Sequence, residues 1–322
     1  MRLLIIKFLC GFIFIGAMFS QKLLIPMDQL QTDHLKAYGV AFWTLKKGEN
    51  VDWLLNYRGG SFMVNYDNIT ERELKIRGVY YEPINTAVLT EIFALIEENN
   101  MDMVLLEKLP KIAVYSPPNK QPWDDAVTLA LTYAEIEYDV VFDDEVINDK
   151  LKDYDWLHLH HEDFTGQYGK FYKNYHNAAW YRNMEIQFQA TAHKFGFISV
   201  HALKKKIALK IKEYILNGGF LFAMCSATDS FDIALSCFNV DIVHQIYDNT
   251  PIDSEYMSKI NYDNGIAFEN YNLYVDPTIY EYSTIDIPPS HQPLTRNAES
   301  DYFVLSEFSA KLYKKLSRCT MS

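Results

Sequence analysis

Cys225 ends a short apolar run, residues 220–224, that follows the pair Gly218-Gly219, and a polar turn then leads into a helix opened by Asp229. Strand, sharp turn and helix with a thiol on the turn is the layout of a nucleophile elbow. Small residues stand two positions to either side, Ala223 and Ala227, where such a turn needs space. A thiol at a helix N-terminus gains thiolate character from the helix dipole and the unpaired amides. The backbone amides that follow it, beginning at Ser226, could form an oxyanion hole. The competing reading is structural, because free cysteine is among the most buried residue types.

A second cluster is His158-Leu159-His160-His161-Glu162-Asp163. Strand alternation places His158 and His160 on one face and Leu159 and His161 on the other. Two imidazoles two residues apart, with carboxylates beside them, could hold zinc or another divalent ion. They could equally supply the base for a cysteine, which makes His158, His160, His161 and Glu162 catalytic candidates beside Cys225. A polar loop mouth is the bland alternative. No distant third ligand is evident, so neither a metal nor a cofactor is expected.

Past the elbow, Asp229 suits a helix N-terminal acid. Asp232 lies on the same helix turn, and both are carried as binding candidates with Ser226. Residues 164–181 form a long polar and aromatic excursion with Gln167, Tyr168, Tyr172, Tyr175, His176 and Trp180. It is long for a connection of this kind and reads as a lid over a site, with Gln167 and Tyr168 as ligand contacts, or as a packed surface excursion. The run 204–206, three lysines, reads as a solvated helix face.

The elements that must position these residues follow from periodicity. Residues 33–109 read as a small α/β unit: a hairpin of 52–57 and 61–64 turning at Gly59-Gly60, a short helix at 70–77 capped by Thr70 or Asn68, a strand at 79–83, a helix at 86–97 and a strand at 101–106. From Lys111 strands and helices alternate. Strands are expected at 111–115, 138–142, 154–159 and 220–224, and helices at 123–135, 143–150, 182–194 and 200–217. That rhythm implies a parallel sheet covered on both faces, an open doubly wound, flavodoxin-like α/β domain with its ligand site at the carboxyl ends of the strands. Residues 261–282 look β-leaning, and Ile287-Pro288-Pro289 interrupts them. The expected organisation is a leader at 1–20, an N-terminal α/β region at 21–109, the main domain at 110–240 and an extension at 241–322.

Arg2 and Lys7 flank and interrupt an apolar stretch from Leu3 to Phe19, and small Ser20 suits a cleavage position. The chain therefore reads as exported, to the periplasm or the extracellular space, with no integral membrane span once the leader is cleaved. The formal net charge of −12 argues against a nucleic-acid partner. Three cysteines lie beyond the leader, Cys225, Cys237 and Cys319. An odd number in an exported chain leaves at least one thiol unpaired or paired between molecules. A helix between Cys225 and Cys237 would hold them too far apart to bridge. With 23 tyrosines and 20 phenylalanines, the composition suits a large core or a sugar- or peptide-binding surface equally.

Across residues 111–240 the Ala-Met-Cys-Ser-Ala elbow, 223–227, resembles the Gly-x-Cys-x-Gly turn of class I glutamine amidotransferases, with alanines at both glycine positions. After Cys225 only His244 and His291 remain, neither in the His-x-Glu setting of that family. The stretches KIAVYSPPNKQPWDDAVTLAL (111–131), DYDWLHLHHEDFTGQYGKFY (153–172) and GGFLFAMCSATDSFDIAL (218–235) look more closely like a family of exported Bacteroidetes proteins often labelled asparagine synthetase B. Residue two is Arg2 rather than the cysteine such synthetases expose, and no Ser-Gly-Gly pyrophosphate loop is present. Against that family the tail from Lys311 departs from pattern and reads as a shortened end. The resemblance implies an amidotransferase-like site, expected to act as a cysteine-dependent amide or acyl hydrolase on a small molecule. The rival expectations are a non-catalytic envelope module binding sugar or peptide, and a metal-dependent hydrolase on the histidines.

Overall fold

The computed structural model describes residues 22–118 and 126–286. The expected leader, Trp123, Ile287-Pro288-Pro289, Cys319 and the tail from Lys311 lie outside the described residues. The described residues form two compact units that divide between Lys108 and Leu109.

The first unit contains β1 (Lys22–Ile25), α1 (His34–Lys46), β2 (Val51–Leu55), β3 (Ser61–Asn65), α2 (Asn68–Arg77), β4 (Glu82–Ile84), α3 (Thr86–Glu98) and β5 (Asp102–Leu106). Its sheet is antiparallel throughout, in the order β4-β1-β3-β2-β5. Alternation sends Leu23, Ile25, Phe62 and Val64 to one face, where they pack with Ala37 and Val40 of α1 and Leu74 of α2. Leu24 and Met63 point the other way, to Ile92 and Ile96 of α3. β1 carries no sequence signal of its own, because its four residues adjoin the apolar stretch at 3–19; yet both its edges are paired. The cap of α2 is Asp67, whose carboxylate accepts from the amides of Ile69 and Thr70 at 2.7 and 2.9 Å, rather than Thr70 or Asn68. The β2–β3 turn needs its glycine: Gly59 sits at φ +82°, and a Cβ there would lie 2.5 Å from the carbonyl oxygen of Met27.

The second unit contains β6 (Ile112–Tyr115), α4 (Ala126–Ala134), β7 (Asp139–Val141), α5 (Asp143–Ile147), β8 (Trp156–Leu159), α6 (Tyr172–Tyr175), α7 (Ala179–Lys194), α8 (Val200–Leu216), β9 (Phe220–Ala223) and α9 (Ser226–Ser236). Its four strands are parallel, in the order β7-β6-β8-β9. The core lies on one face, where Ala113, Tyr115, Leu157 and Leu159 meet Leu203, Ile207 and Ile211 of α8 and Phe231 of α9. The opposite face is not fully covered at β9: Phe220 and Phe222 are 60% and 46% exposed.

Two expectations are corrected. Residues 261–282 form no strand among the described residues beyond the single bridge of Leu273 to Ser283. Their start is held instead by Asp232, whose carboxylate accepts the amides of Ile266, Ala267 and Phe268 at 2.6, 3.1 and 3.2 Å. The lysine run is not a solvated face either, because Lys204 and Lys205 of α8 are buried. Lys204 pairs with Asp143 at 2.8 Å and donates to the Tyr115 hydroxyl at 2.9 Å, while Tyr115 donates to the same carboxylate. The ammonium also lies 4.3 and 5.0 Å from the ring centres of Phe142 and Phe188. Burial, with Asp143 beside it, pushes the Tyr115 phenol well above its ordinary pKa.

A buried ion pair that loses one partner leaves a charge without compensation, a loss of about 3–5 kcal/mol. Lys204→Met is therefore expected to lower the urea midpoint sharply, with Asp143→Asn added to it recovering most of the loss. A midpoint unchanged in the single variant would contradict this account.

Candidate active site

Cys225 lies between β9 and α9 at φ +54°, ψ −142°. A residue other than glycine in that region costs about 1–3 kcal/mol, and it persists only when its surroundings over-determine it. Here the constraint is visible on both sides of the thiol. The amide of Met224 donates to the Leu159 carbonyl at 3.0 Å, and that of Ala227 to the His160 carbonyl at 3.1 Å. One turn on, the Ser230 hydroxyl donates to the Glu162 carbonyl at 2.9 Å. The end of β8 thus grips the elbow before and after its strained residue. Ala227 is fully buried, as a tight turn at this point requires. The helix begins at Ser226 rather than at Asp229, directly behind the thiol.

His160 and His161 close the site. One donor atom from each ring and Cys225 Sγ all lie within 4.8 Å of one another. Strand alternation does not extend to these histidines, because β8 ends at Leu159 and the chain bends there. His161, expected on the opposite face, instead stacks on His160 with ring centres 3.6 Å apart. Cys225 is exposed, His161 half-buried and His160 buried, so the cluster opens outward through the thiol.

The other sequence candidates separate by position. His158 remains on β8, fully buried, on the sheet face opposite the α8 core; it stacks on Phe222 at 5.6 Å and lies 6.0 Å from the His160 ring. It supports the cluster from behind and does not reach solvent. Glu162 accepts the backbone amide of His160 at 2.7 Å and so shapes the bend that turns the imidazoles. Ser226 is the first residue of α9, and its amide is one of those a helix leaves without an intrahelical partner. The Ala227 amide is committed to the His160 carbonyl, which takes it out of any oxyanion hole. Asp232 faces residues 266–268 and holds backbone.

The first part of the loop expected to act as a lid is packed, whereas Tyr175 and His176 further along it are exposed. Tyr168 is buried against Tyr181, Phe188 and Tyr247, and burial pushes its phenol up to about 12. Gln167 is buried too and donates to the Thr165 hydroxyl at 3.0 Å. Asp163 knots the loop by accepting from the Thr165 amide at 2.7 Å and the Gly169 amide at 3.0 Å. Gly166 passes so close to α8 that a Cβ would lie 2.6 Å from His201 Cα. Lys170, which sequence patterning did not single out, is buried and donates to the carbonyls of Tyr274 and Glu281; burial pushes its ammonium down to about 8. A small cavity beside His161 is lined by Phe142, Glu162, Asp163, Phe171, Phe188 and Lys204. Lys204 and Phe142 carried no sequence signal for it, because their approach depends on the packing of α8 against α5.

Asp229 is buried in the first turn of α9, and its Oδ2 has no hydrogen-bond partner among the described residues. Burial, reinforced by Asp286, pushes its carboxyl up to about 7. A carboxyl raised from 3.8 to about 7 on folding binds its proton more tightly in the native state. Its contribution to stability is therefore present below the unfolded value and lost as pH rises through the window between the two. Asp229→Asn is expected to flatten the fall in Tm across that window and to raise Tm at pH 8. An unchanged pH dependence would rule the assignment out. Cys225→Gly relieves the strained backbone and is expected to stabilise by about 1 kcal/mol, where Cys225→Ala does not; urea midpoints of the two variants make the comparison.

Comparisons of the chain with protein-family models, with curated proteins and with solved structures gave no match.

Proposed function

We propose that this protein is a cysteine-dependent hydrolase of amide or other acyl bonds. The observation that carries the reading is the strained elbow itself: Cys225 at φ +54° with two imidazoles at its sulfur. Strain at a position where glycine would be easier points to a side chain kept for its chemistry. In the reaction, His160 or His161 takes the thiol proton and the thiolate of Cys225 adds to the acyl carbon. The Ser226 amide faces the developing oxyanion. Collapse expels the amine or alcohol, which carries away the proton from the imidazole, and water then hydrolyses the thioester. The strand order β7-β6-β8-β9, with the site at the carboxyl ends of β8 and β9, supports an open flavodoxin-like domain of the amidotransferase kind. The leader-like N-terminus supports export. Buried Gln167 and Tyr168 do not present a binding surface, while exposed Tyr175 and half-buried Tyr172 and Trp180 keep a sugar- or peptide-binding platform as the second reading.

Cys237 is a built-in control, since burial pushes its thiol up to about 12. With iodoacetamide at neutral pH, Cys225 of the folded chain is expected to be alkylated at least about tenfold faster than Cys237. With p-nitrophenyl acetate, an acetylated Cys225 peptide is expected by mass spectrometry, absent in Cys225→Ala and slowed when His160 and His161 are both alanine. A folded wild-type chain that never carries the acyl group on Cys225 would sink the proposal.

A further inference from the structure

We infer that His160, His161 and Cys225 together form a three-ligand site for Zn²⁺, with a fourth position open to solvent. It shares side chains with the proposed hydrolase but does not depend on its chemistry. The donor set is two imidazole nitrogens and one thiolate sulfur, the mixture that borderline-soft zinc favours over magnesium or calcium. The atoms lie within 4.8 Å of one another. Zinc holds nitrogen at about 2.0–2.1 Å and sulfur at about 2.3 Å, so tetrahedral ligands stand roughly 3.3–3.8 Å apart. Closing that gap needs a shift of about an ångström or so.

The two sides of the site differ in the freedom to make that shift. His160 is buried and held at its backbone, where its amide bonds Glu162 and its carbonyl accepts from Ala227. Cys225 is fixed by its elbow. His161 is half-buried, and its ring is tilted 30° from that of His160. Because the two rings are stacked with centres 3.6 Å apart, the His161 ring must swing outward about its own side-chain bonds to share a metal with His160. The outermost ligand is thus the one that moves, toward two whose backbones are held. Glu162 and Asp163 follow the ligands in the chain and add negative charge near a cation. Exposure of Cys225 leaves the remaining coordination position on the solvent side, the open arrangement that three protein ligands give. Binding consumes the nucleophile: the thiol loses its proton, the sulfur is held by the metal, and no acyl transfer starts from it. Zinc is thereby a reversible off-state for the thiol.

The test uses the full metal-free chain with Co²⁺ and Zn²⁺ as probes. Co²⁺ is expected to bind one to one and to give a near-ultraviolet thiolate-to-cobalt charge-transfer band with a tetrahedral visible spectrum, both displaced by Zn²⁺. Zn²⁺ is expected to protect Cys225 from iodoacetamide in the wild-type protein. His160→Ala and His161→Ala are each expected to weaken Zn²⁺ binding by about tenfold or more, since even changes outside the ligand set cost that much. Circular dichroism checks that each variant is folded. Absence of the charge-transfer band, or equal zinc protection after both histidines are removed, overturns the site. Because neither readout involves turnover, a chain that binds cobalt through Cys225 but never forms the acyl-enzyme would retain the metal site and lose only the hydrolase.

Discussion

The backbone of Cys225 is held by hydrogen bonds that cross from the end of β8 to the start of α9. Left-handed cysteine costs about 1–3 kcal/mol, whereas one intramolecular hydrogen bond contributes about 0.5–1.5 kcal/mol net. A single bond would therefore not hold the elbow. Three of them, from Met224, Ala227 and Ser230, reach a total of comparable size and surround the residue on both sides. The same bonds bring the β8 end, with its two imidazoles, against the thiol. Geometry and chemistry of the site have one cause.

Much of this was legible in the chain, for reasons that can be stated residue by residue. The Gly218-Gly219 pair, the apolar strand and the small residues at 223 and 227 announce an elbow, because close backbone approach restricts side-chain size locally. The pairing of His160 with His161 was not legible. Alternation predicts opposite faces for neighbours, and it stops holding at Leu159, where the strand ends for tertiary reasons. Asp232 could be placed near the site by helix periodicity, but its three amide partners come more than thirty residues later. Gln167 and Tyr168 read as ligand contacts of a lid because the excursion around them is polar and aromatic, whereas a knot around Asp163 turns them inward.

The buried lysines show the limit of charge patterning. Lys204, Lys205 and Lys170 are all buried, and each finds a different solution. Lys204 uses a carboxylate and three aromatic rings, Lys205 donates to the Val240 carbonyl at 2.6 Å, and Lys170 reaches two carbonyls. Burial pushes both Lys205 and Lys170 down to about 8, as expected where carbonyl dipoles rather than a full countercharge meet the ammonium. A helix with three consecutive lysines ordinarily exposes them. Here α8 runs through the centre of the second unit, and the long aliphatic stems join its core while the heads find polar groups at its edges.

Asp232 gives α9 a second role. The helix whose N-terminus carries the thiol also clasps the amides of residues 266–268, far along the chain. Those amides are shielded only while α9 is in place, so their exchange with solvent deuterium is tied to the opening of that helix. Loosening the first turns of α9 is therefore expected to release residues 266–268 as well.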